Sequence, residues 1–372
     1  MNIKSSQDVV NQDMEYICSS LKDEFEQMAG KSLLITGGAG FLGYYLVQSV
    51  LFWNEHNTDN KKIKITVYDN YMRGIPAWLD VVKQDHYMKL VKHDIVNPLP
   101  EDIGSYQFII HAASIASPHY YRKYPLETMD ANVGGLRYLL EYARELKEKG
   151  EPVEGFLFFS TSEIYGDPDP GNIPTTEFFR GNVSCTGPRA CYDESKRFGE
   201  TLCVTFAEQY DLPVKIARPF NNYGPGLKIT DKRVIPDFMR DVLANRDIMM
   251  YSDGNPSRTF CYIADAVTGY FKVLVKGRKG EAYNIGVEKP EISMKELADT
   301  IAEVAGRYSD YGGKVVQARS NDSNYLIDNP NRRCPDITKA HKGLKYDPKI
   351  SIEDGLMRTF VWYVENQEAV EA

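Results

Sequence analysis

The stretch Lys31-Ser-Leu-Leu-Ile-Thr-Gly-Gly-Ala-Gly-Phe-Leu-Gly43 constrains this chain more than any other. A short apolar run, Leu33 to Ile35, enters a turn with glycine at 37, 40 and 43, and a mostly apolar segment from Phe41 to Trp53 follows at helical spacing. That order predicts a strand, a turn and a helix. Glycines let the backbone turn tightly and approach a pyrophosphate, whose charge then sits on the free amides at the helix N-terminus. Gly37, Gly40 and Gly43, with Phe41 and Leu42 between them, are therefore candidates to hold a dinucleotide.

The following segments repeat the strand-then-helix pattern. Lys62 to Tyr68 is a β-branched run ending at Asp69 and Asn70. A carboxylate at the end of the second strand is placed to accept hydrogen bonds from ribose hydroxyls and to repel a 2′-phosphate, which favours NAD over NADP, although Arg73 lies close by. Tyr87 to Val91 reads as a third strand leading to Asp94 and Ile95, with Asp94 in reach of an adenine amino group. Phe108 to Ala113 reads as a fourth, carrying Ala112 into a small-residue turn. Leu126 to Lys149 reads as one long amphipathic helix stopped by Gly150. Phe156 to Ser160 and Val214 to Arg218 complete the strands. Strands alternating with helices predict an α/β fold on a doubly wound parallel sheet, with ligands at the carboxyl ends of the strands.

Beyond Arg218 the pattern loosens into segments rich in Pro, Gly and Asn. The expected organisation is a helical extension at 1–30, a dinucleotide-binding domain at 31–218 with 259–280 returning to it, and a smaller C-terminal α/β substrate lobe from 219–258 and 281–372. In the extension, Met14, Ile17, Leu21 and Phe25 keep helical spacing, which predicts a short helix packed on the domain or on a partner subunit.

Composition narrows the partners. A net charge of −8 without a dense basic tract argues against nucleic acid. The six cysteines form no CxxC pair and no zinc-ligand spacing, as expected of thiols in a reducing compartment, and no metal is expected. No apolar run approaches the ~20 residues of a membrane span, and the N-terminus does not read as a signal peptide, so a cytoplasmic protein is expected.

Tyr192-Asp-Glu-Ser-Lys196 opens the helix before the sixth strand. An i, i+4 spacing puts phenol and ammonium on one helix face, where a lysine can lower the phenol pKa and let Tyr192 take a hydroxyl proton. Cys185 and Cys191 flank this segment with no histidine close in sequence to activate them. His111 and His119 read as packing or hydrogen-bonding residues.

Together the glycine turn, Asp69, the Ser160-Thr161 strand end, Tyr192-x-x-x-Lys196 and Arg218-Pro-Phe-Asn-Asn-Tyr-Gly-Pro225 resemble an extended short-chain dehydrogenase/reductase acting on nucleotide sugars, over roughly 31–360. Gly187-Pro-Arg-Ala-Cys-Tyr192, His119-Tyr120, Thr161 to Asp167 and Arg333 to Ile337 are most similar to UDP-glucuronate decarboxylases (UDP-xylose synthases). The resemblance implies a Rossmann-type fold and an NAD-dependent nucleotide-sugar decarboxylase. It oxidises C4, loses CO2 from the resulting β-keto acid and re-reduces C4.

By the same resemblance, Tyr192 is the base, Lys196 tunes it and binds the nicotinamide ribose, and Thr161 bonds the C4 oxygen. Glu163 orients a hydroxyl or water and relays the C5 proton. Arg258 meets the sugar carboxylate or diphosphate, Asn221, Arg233 and Arg333 contact the anionic substrate, and Tyr262 lines the uracil or sugar pocket. Relatives pair the helices at 126–149 and 190–210 into a four-helix bundle, which implies a homodimer. Two other functions compete. A 4,6-dehydratase needs an acid for its leaving hydroxyl where this chain has Ser162, and an epimerase usually lacks the glutamate. A non-catalytic NAD-sensing protein has no need of Thr161, Tyr192 and Lys196.

Overall fold

The computed structural model describes residues 3–58, 61–319 and 327–366. Residues 1–2 of the expected extension and 320–326 and 367–372 of the expected lobe lie outside them. The central feature is a seven-stranded parallel sheet. Its first six strands in chain order are β1 (Ser32–Thr36), β2 (Lys64–Asp69), β3 (Met88–Lys92), β4 (Phe108–His111), β5 (Gly155–Phe159) and β6 (Val214–Pro219). The seventh, Ala282–Ile285, pairs with β6, and the spatial order is Ala282–Ile285, β6, β5, β4, β1, β2, β3. The return to the sheet thus runs past residue 280, because Ala282–Ile285 lies in register with Ile216–Pro219. Reversal of strand order between β1 and β4 opens the crevice at the switch point.

Strand side chains alternate between two cores, as a sheet covered on both faces demands. Leu33, Ile35, Phe108 and Ile110 face one core with the helices Phe41–His56 and Ile263–Lys276. Leu34, Ile109, Phe156 and Phe158 face the other with Leu136–Glu148 and Ala190–Tyr210.

The long helix after β4 departs from the expected single α-helix. Pro125–Met129 and Leu136–Glu148 are α-helical, but Asp130–Gly135 between them is a π turn. Gly135 lies so close to Ile95 that a Cβ would come within 2.9 Å of its side chain. A wide turn there fits the helix over the strand ends, a place where π turns commonly occur.

The N-terminal segment forms helices Ser6–Ser20 and Lys22–Met28, and it is built into the core. Asp13 is fully buried; it accepts from Arg358 at 2.5 Å, Tyr45 at 2.6 Å and Tyr262 at 2.6 Å. Burial pushes its pKa up to about 6 against the pull of Arg358.

The C-terminal lobe is made of small pieces. Ser257–Arg258 lies between Ile292–Ser293 and Arg332–Arg333, Ile248–Met250 pairs with Val315–Gln317, and Asn222–Tyr223 pairs with Cys261–Tyr262. No helix among the described residues is long and apolar enough to cross a membrane.

Candidate active site

The strand ends and the smaller lobe enclose a cavity of about 750 Å³. Its walls include Gly37, Gly40, Phe41 and Leu42 of the glycine turn, Asp69 and Asn70 after β2, Asp94 and Ile95 after β3, and Ala112 after β4. Thr161, Glu163, Tyr192, Lys196, Asn221, Arg233, Arg258 and Arg333 line the same cavity. Gly43 does not line it. It lets the helix meet the turn, since a Cβ there would fall 2.1 Å from the Gly38 carbonyl oxygen. Gly37 has φ +73 and comes so close to Ala113 that a Cβ would lie 2.5 Å from its backbone.

These features fit a dinucleotide. Asp69 accepts from the amides of Ala39 (2.9 Å) and Tyr71 (2.8 Å), which fixes the glycine turn against the end of β2. Asn70 donates to Asp94 at 3.0 Å, joining the ends of β2 and β3. The buried hydroxyls of Ser114 and Ser160, both in the cavity wall, have no hydrogen-bond partner among the described residues. A small-residue cradle with unsatisfied donors has the chemistry of a phosphate and ribose site. Arg73 is turned away from a 2′-phosphate role: its guanidinium packs on Tyr120 and lies 3.7 Å from Asp231.

Thr161, Tyr192 and Lys196 come together at the end of β5 and the start of Ala190–Tyr210. Thr161 lies beside the Tyr192 phenol, and the Tyr192 ring stacks on Tyr121 at 5.0 Å and 7°. Lys196 donates to the Phe159 carbonyl at 2.7 Å, its Nζ 5.8 Å from the Tyr192 ring centre. Burial lowers the Lys196 pKa to about 7 and raises that of Tyr192 well above its ordinary value. His111 is buried between Thr36 and the Ala131 carbonyl, and burial drops its pKa to about 3. It is a packing residue.

The anion-binding side is crowded with guanidiniums. Parallel pairing puts Arg333 beside Arg258 in the small sheet. Arg333 clasps Glu163 through both oxygens at 2.5 and 2.6 Å, and Arg189 bonds the same carboxylate from the helix start. Burial would raise the Glu163 pKa, but Arg189 and Arg333 outweigh it and hold it near 2. Glu163 is thus held ionised, with both oxygens engaged by guanidiniums. Arg258 has no ion pair among the described residues. It donates to the Ser257 carbonyl (2.7 Å), the Asn331 carbonyl (3.0 Å), the Pro330 carbonyl and the Asn329 side chain (3.3 Å). Burial and the neighbouring Arg333 lower its pKa to about 9.

Of two expected substrate contacts, Tyr262 is displaced from the cavity and Arg233 is in its wall. Tyr262 is not in the cavity wall; its hydroxyl is spent on buried Asp13, delivered by the N-terminal helix. Arg233 reaches the cavity but is already paired with Asp231. Asn221 sits in the wall at φ +38, its side-chain amide on the Thr259 carbonyl at 2.9 Å. Sequence reasoning passed over Arg189, although its place three residues before Tyr192, on the same helical face, was the available signal. It also passed over Asp193, which lies 3.7 Å from Arg189 and is pushed up in pKa by burial and the nearby Glu163 charge.

Residues 33–286 match the NAD dependent epimerase/dehydratase family. UDP-glucuronic acid decarboxylase 6 of Arabidopsis thaliana is 35% identical over 328 residues, covering 87% of this chain and 86% of that protein. UDP-glucuronic acid decarboxylase 1 of Xenopus tropicalis is 32% identical, covering 91% of this chain and 73% of that protein. Among solved structures, dTDP-glucose 4,6-dehydratase of Streptomyces venezuelae, with NAD bound, superposes with a TM-score of 0.77 at 28% identity over 91% of this chain and 99% of that one. UDP-glucuronic acid 4-epimerase of Bacillus cereus shares the fold, with a TM-score of 0.71 at 23% identity over 90% of this chain and 99% of that one. By that match over residues 33–286 and by these relatives, the chain belongs to the NAD dependent epimerase/dehydratase family.

Proposed function

We propose that this protein decarboxylates UDP-glucuronate to UDP-xylose, with NAD recycled in place. The observation that carries the reading is Arg258, a buried guanidinium in the cavity wall with no ion pair among the described residues. Arg189 and Arg333 nearby share Glu163. A sugar carboxylate at Arg258 would supply the missing counter-charge, and guanidiniums match it bidentately. The names of the relatives support the same substrate.

Gly37, Gly40, Asp69 and Asp94 would hold NAD, which would supply the hydride couple for oxidation and re-reduction at C4. Tyr192 accepts the C4 hydroxyl proton, with Thr161 bonded to the phenol and the C4 oxygen, and Lys196 holds the ribose side of the site. The C4 ketone then takes up the electrons of the C5–C6 bond as CO2 departs. The enolate takes a proton from solvent at C5 in place of the lost carboxylate, and Tyr192 gives its proton back to the C4 oxygen. Ionised Glu163 orients Arg189 and Arg333 toward the sugar. Asn221, Arg233 and Arg258 serve the diphosphate or carboxylate.

The competing reading, a 4,6-dehydratase, is weakened by Ser162, a hydroxyl where dehydration calls for a carboxylic acid; it is also buried. Incubation with UDP-glucuronate decides between them. Release of CO2 and a UDP-pentose by mass spectrometry is expected, and loss of water from an NDP-hexose would favour the dehydratase. Tyr192→Phe should lower turnover by about 10³-fold. Unchanged turnover would exclude this mechanism and any other that uses the trio, and a parent protein that binds NAD but turns over no nucleotide sugar would favour the dinucleotide-sensing role.

A homodimer is part of the proposal. Tyr138 and Phe198 stand exposed on the Leu136–Glu148 and Ala190–Tyr210 helices, and pairing with a second copy would cover them. Light scattering on the purified chain at micromolar concentration should give twice the chain mass, and Phe198→Glu should return it to a monomer.

A further inference from the structure

The loop after β2 is fastened to the smaller lobe at Arg73, through its guanidinium and its backbone carbonyl. Tyr71 at φ +57 and Gly74 at φ +81 close a tight turn, with the Gly74 amide on the Tyr71 carbonyl at 2.9 Å, and this turn presents Arg73. The Arg73 guanidinium lies 3.7 Å from the Tyr120 ring centre and 3.7 Å from the Asp231 carboxylate, while its backbone carbonyl accepts from the Lys228 ammonium. Asp231 is itself well anchored. Its carboxylate pairs with Arg233, its carbonyl accepts from the Ser117 hydroxyl at 2.6 Å, and its amide donates to the Lys228 carbonyl at 3.0 Å. Three segments therefore meet at Arg73: the loop after β2, the helix Pro118–Lys123, and the smaller lobe's 228–233 loop. Asp69, Arg73, Ser117 and Asp231 all line the cavity.

We propose that Arg73 is a positioning residue that straps these three segments together over the dinucleotide and so keeps NAD bound between the oxidation and the re-reduction. The inference rests on the reading of the cavity as an NAD site. A reaction that returns its cofactor to the starting state gains nothing from exchange, and a cofactor lost after oxidation leaves an enzyme that cannot finish its turnover. Release of the dinucleotide needs the loop after β2 to part from the lobe, and parting breaks the stacking and charge contacts of Arg73 together. Each contact is modest in a half-exposed setting, but they act on one group. The same engagement keeps the guanidinium from serving a 2′-phosphate.

The test is the dissociation rate of NADH, followed by its fluorescence after mixing loaded full-length protein with excess NAD. Arg73→Ala and Lys228→Met should each release NADH faster, Arg73→Ala by about fivefold or more, with melting temperatures close to the parent. Turnover of Arg73→Ala should decline without added NAD and recover when NAD is supplied. Release rates within about twofold of the parent in both variants would overturn the strap. A parent protein that takes up no NADH at all would instead overturn the cofactor reading beneath it.

Discussion

Glu163 and Arg333 face each other across the join between the large sheet and the smaller lobe, carboxylate to guanidinium, with both pairs of atoms in contact at 2.5 and 2.6 Å. Glu163 follows the end of β5 and Arg333 lies in the small sheet, so the pair reports on how the two parts are set against each other. Glu163→Gln removes the charge and keeps the shape. Arg189 and Arg333 then lose their counter-charge in a buried site, and turnover of UDP-glucuronate should fall of order 10²-fold in steady-state assays. A variant with parental kcat would show that the carboxylate has no part in orienting the guanidiniums.

The glycine turn predicts its own sensitivity. In Gly43→Ala the new Cβ would fall 2.1 Å from the Gly38 carbonyl oxygen, so the helix start must move away from the turn. NAD affinity measured by calorimetry should weaken by about tenfold or more, equivalent to about 1.4 kcal/mol. Gly134→Ala, where a Cβ meets nothing within 4 Å, is the control and should bind as the parent does.

Lys196 sets a pH dependence of stability. Burial lowers its pKa from 10.5 to about 7, so between those values the unfolded chain holds a proton that the folded protein has released. Stability from this group therefore rises as pH climbs through that window, and the penalty of burying its charge is largest below pH 7. Replacing it with Met removes the penalty. The melting temperature of Lys196→Met relative to the parent should be highest near pH 6 and lose its advantage toward pH 10. A difference that stays constant with pH would show that Lys196 does not titrate in this window.

Asp13 should behave as a structural keystone. Asp13→Ala leaves Arg358 buried beside two tyrosine hydroxyls with their acceptor gone. Breaking a buried pair in this way costs about 3–5 kcal/mol, measurable as a lower urea midpoint. A midpoint close to the parent's would mean that the N-terminal helix is held by its apolar face alone.

Much of the sheet was legible because buried parallel strands are short apolar runs and the glycine turn has few other uses. The π turn at Asp130–Gly135 was not, since it arises from Gly135 meeting Ile95, a contact that helical periodicity does not encode. The nearness of Tyr192 to Lys196 could be read from spacing, as the two share a helix face. The clasp on Glu163 could not, because its partners come from positions 189 and 333 and only the fold brings them together. Tyr262 failed for the same reason in reverse: a residue of the N-terminal helix claims its hydroxyl.

The contact between Asp13 and Arg358 joins residues 345 positions apart. During synthesis the carboxylate emerges long before its guanidinium. Until then Ser6–Ser20 can rest on Phe41–His56 and Ile263–Lys276 but has no cation for its innermost charge, and the seat it occupies against Ile352–Glu365 does not exist. Docking of the N-terminal helix is therefore finished only when Ile352–Glu365 arrives, which makes its last contacts a late event in folding.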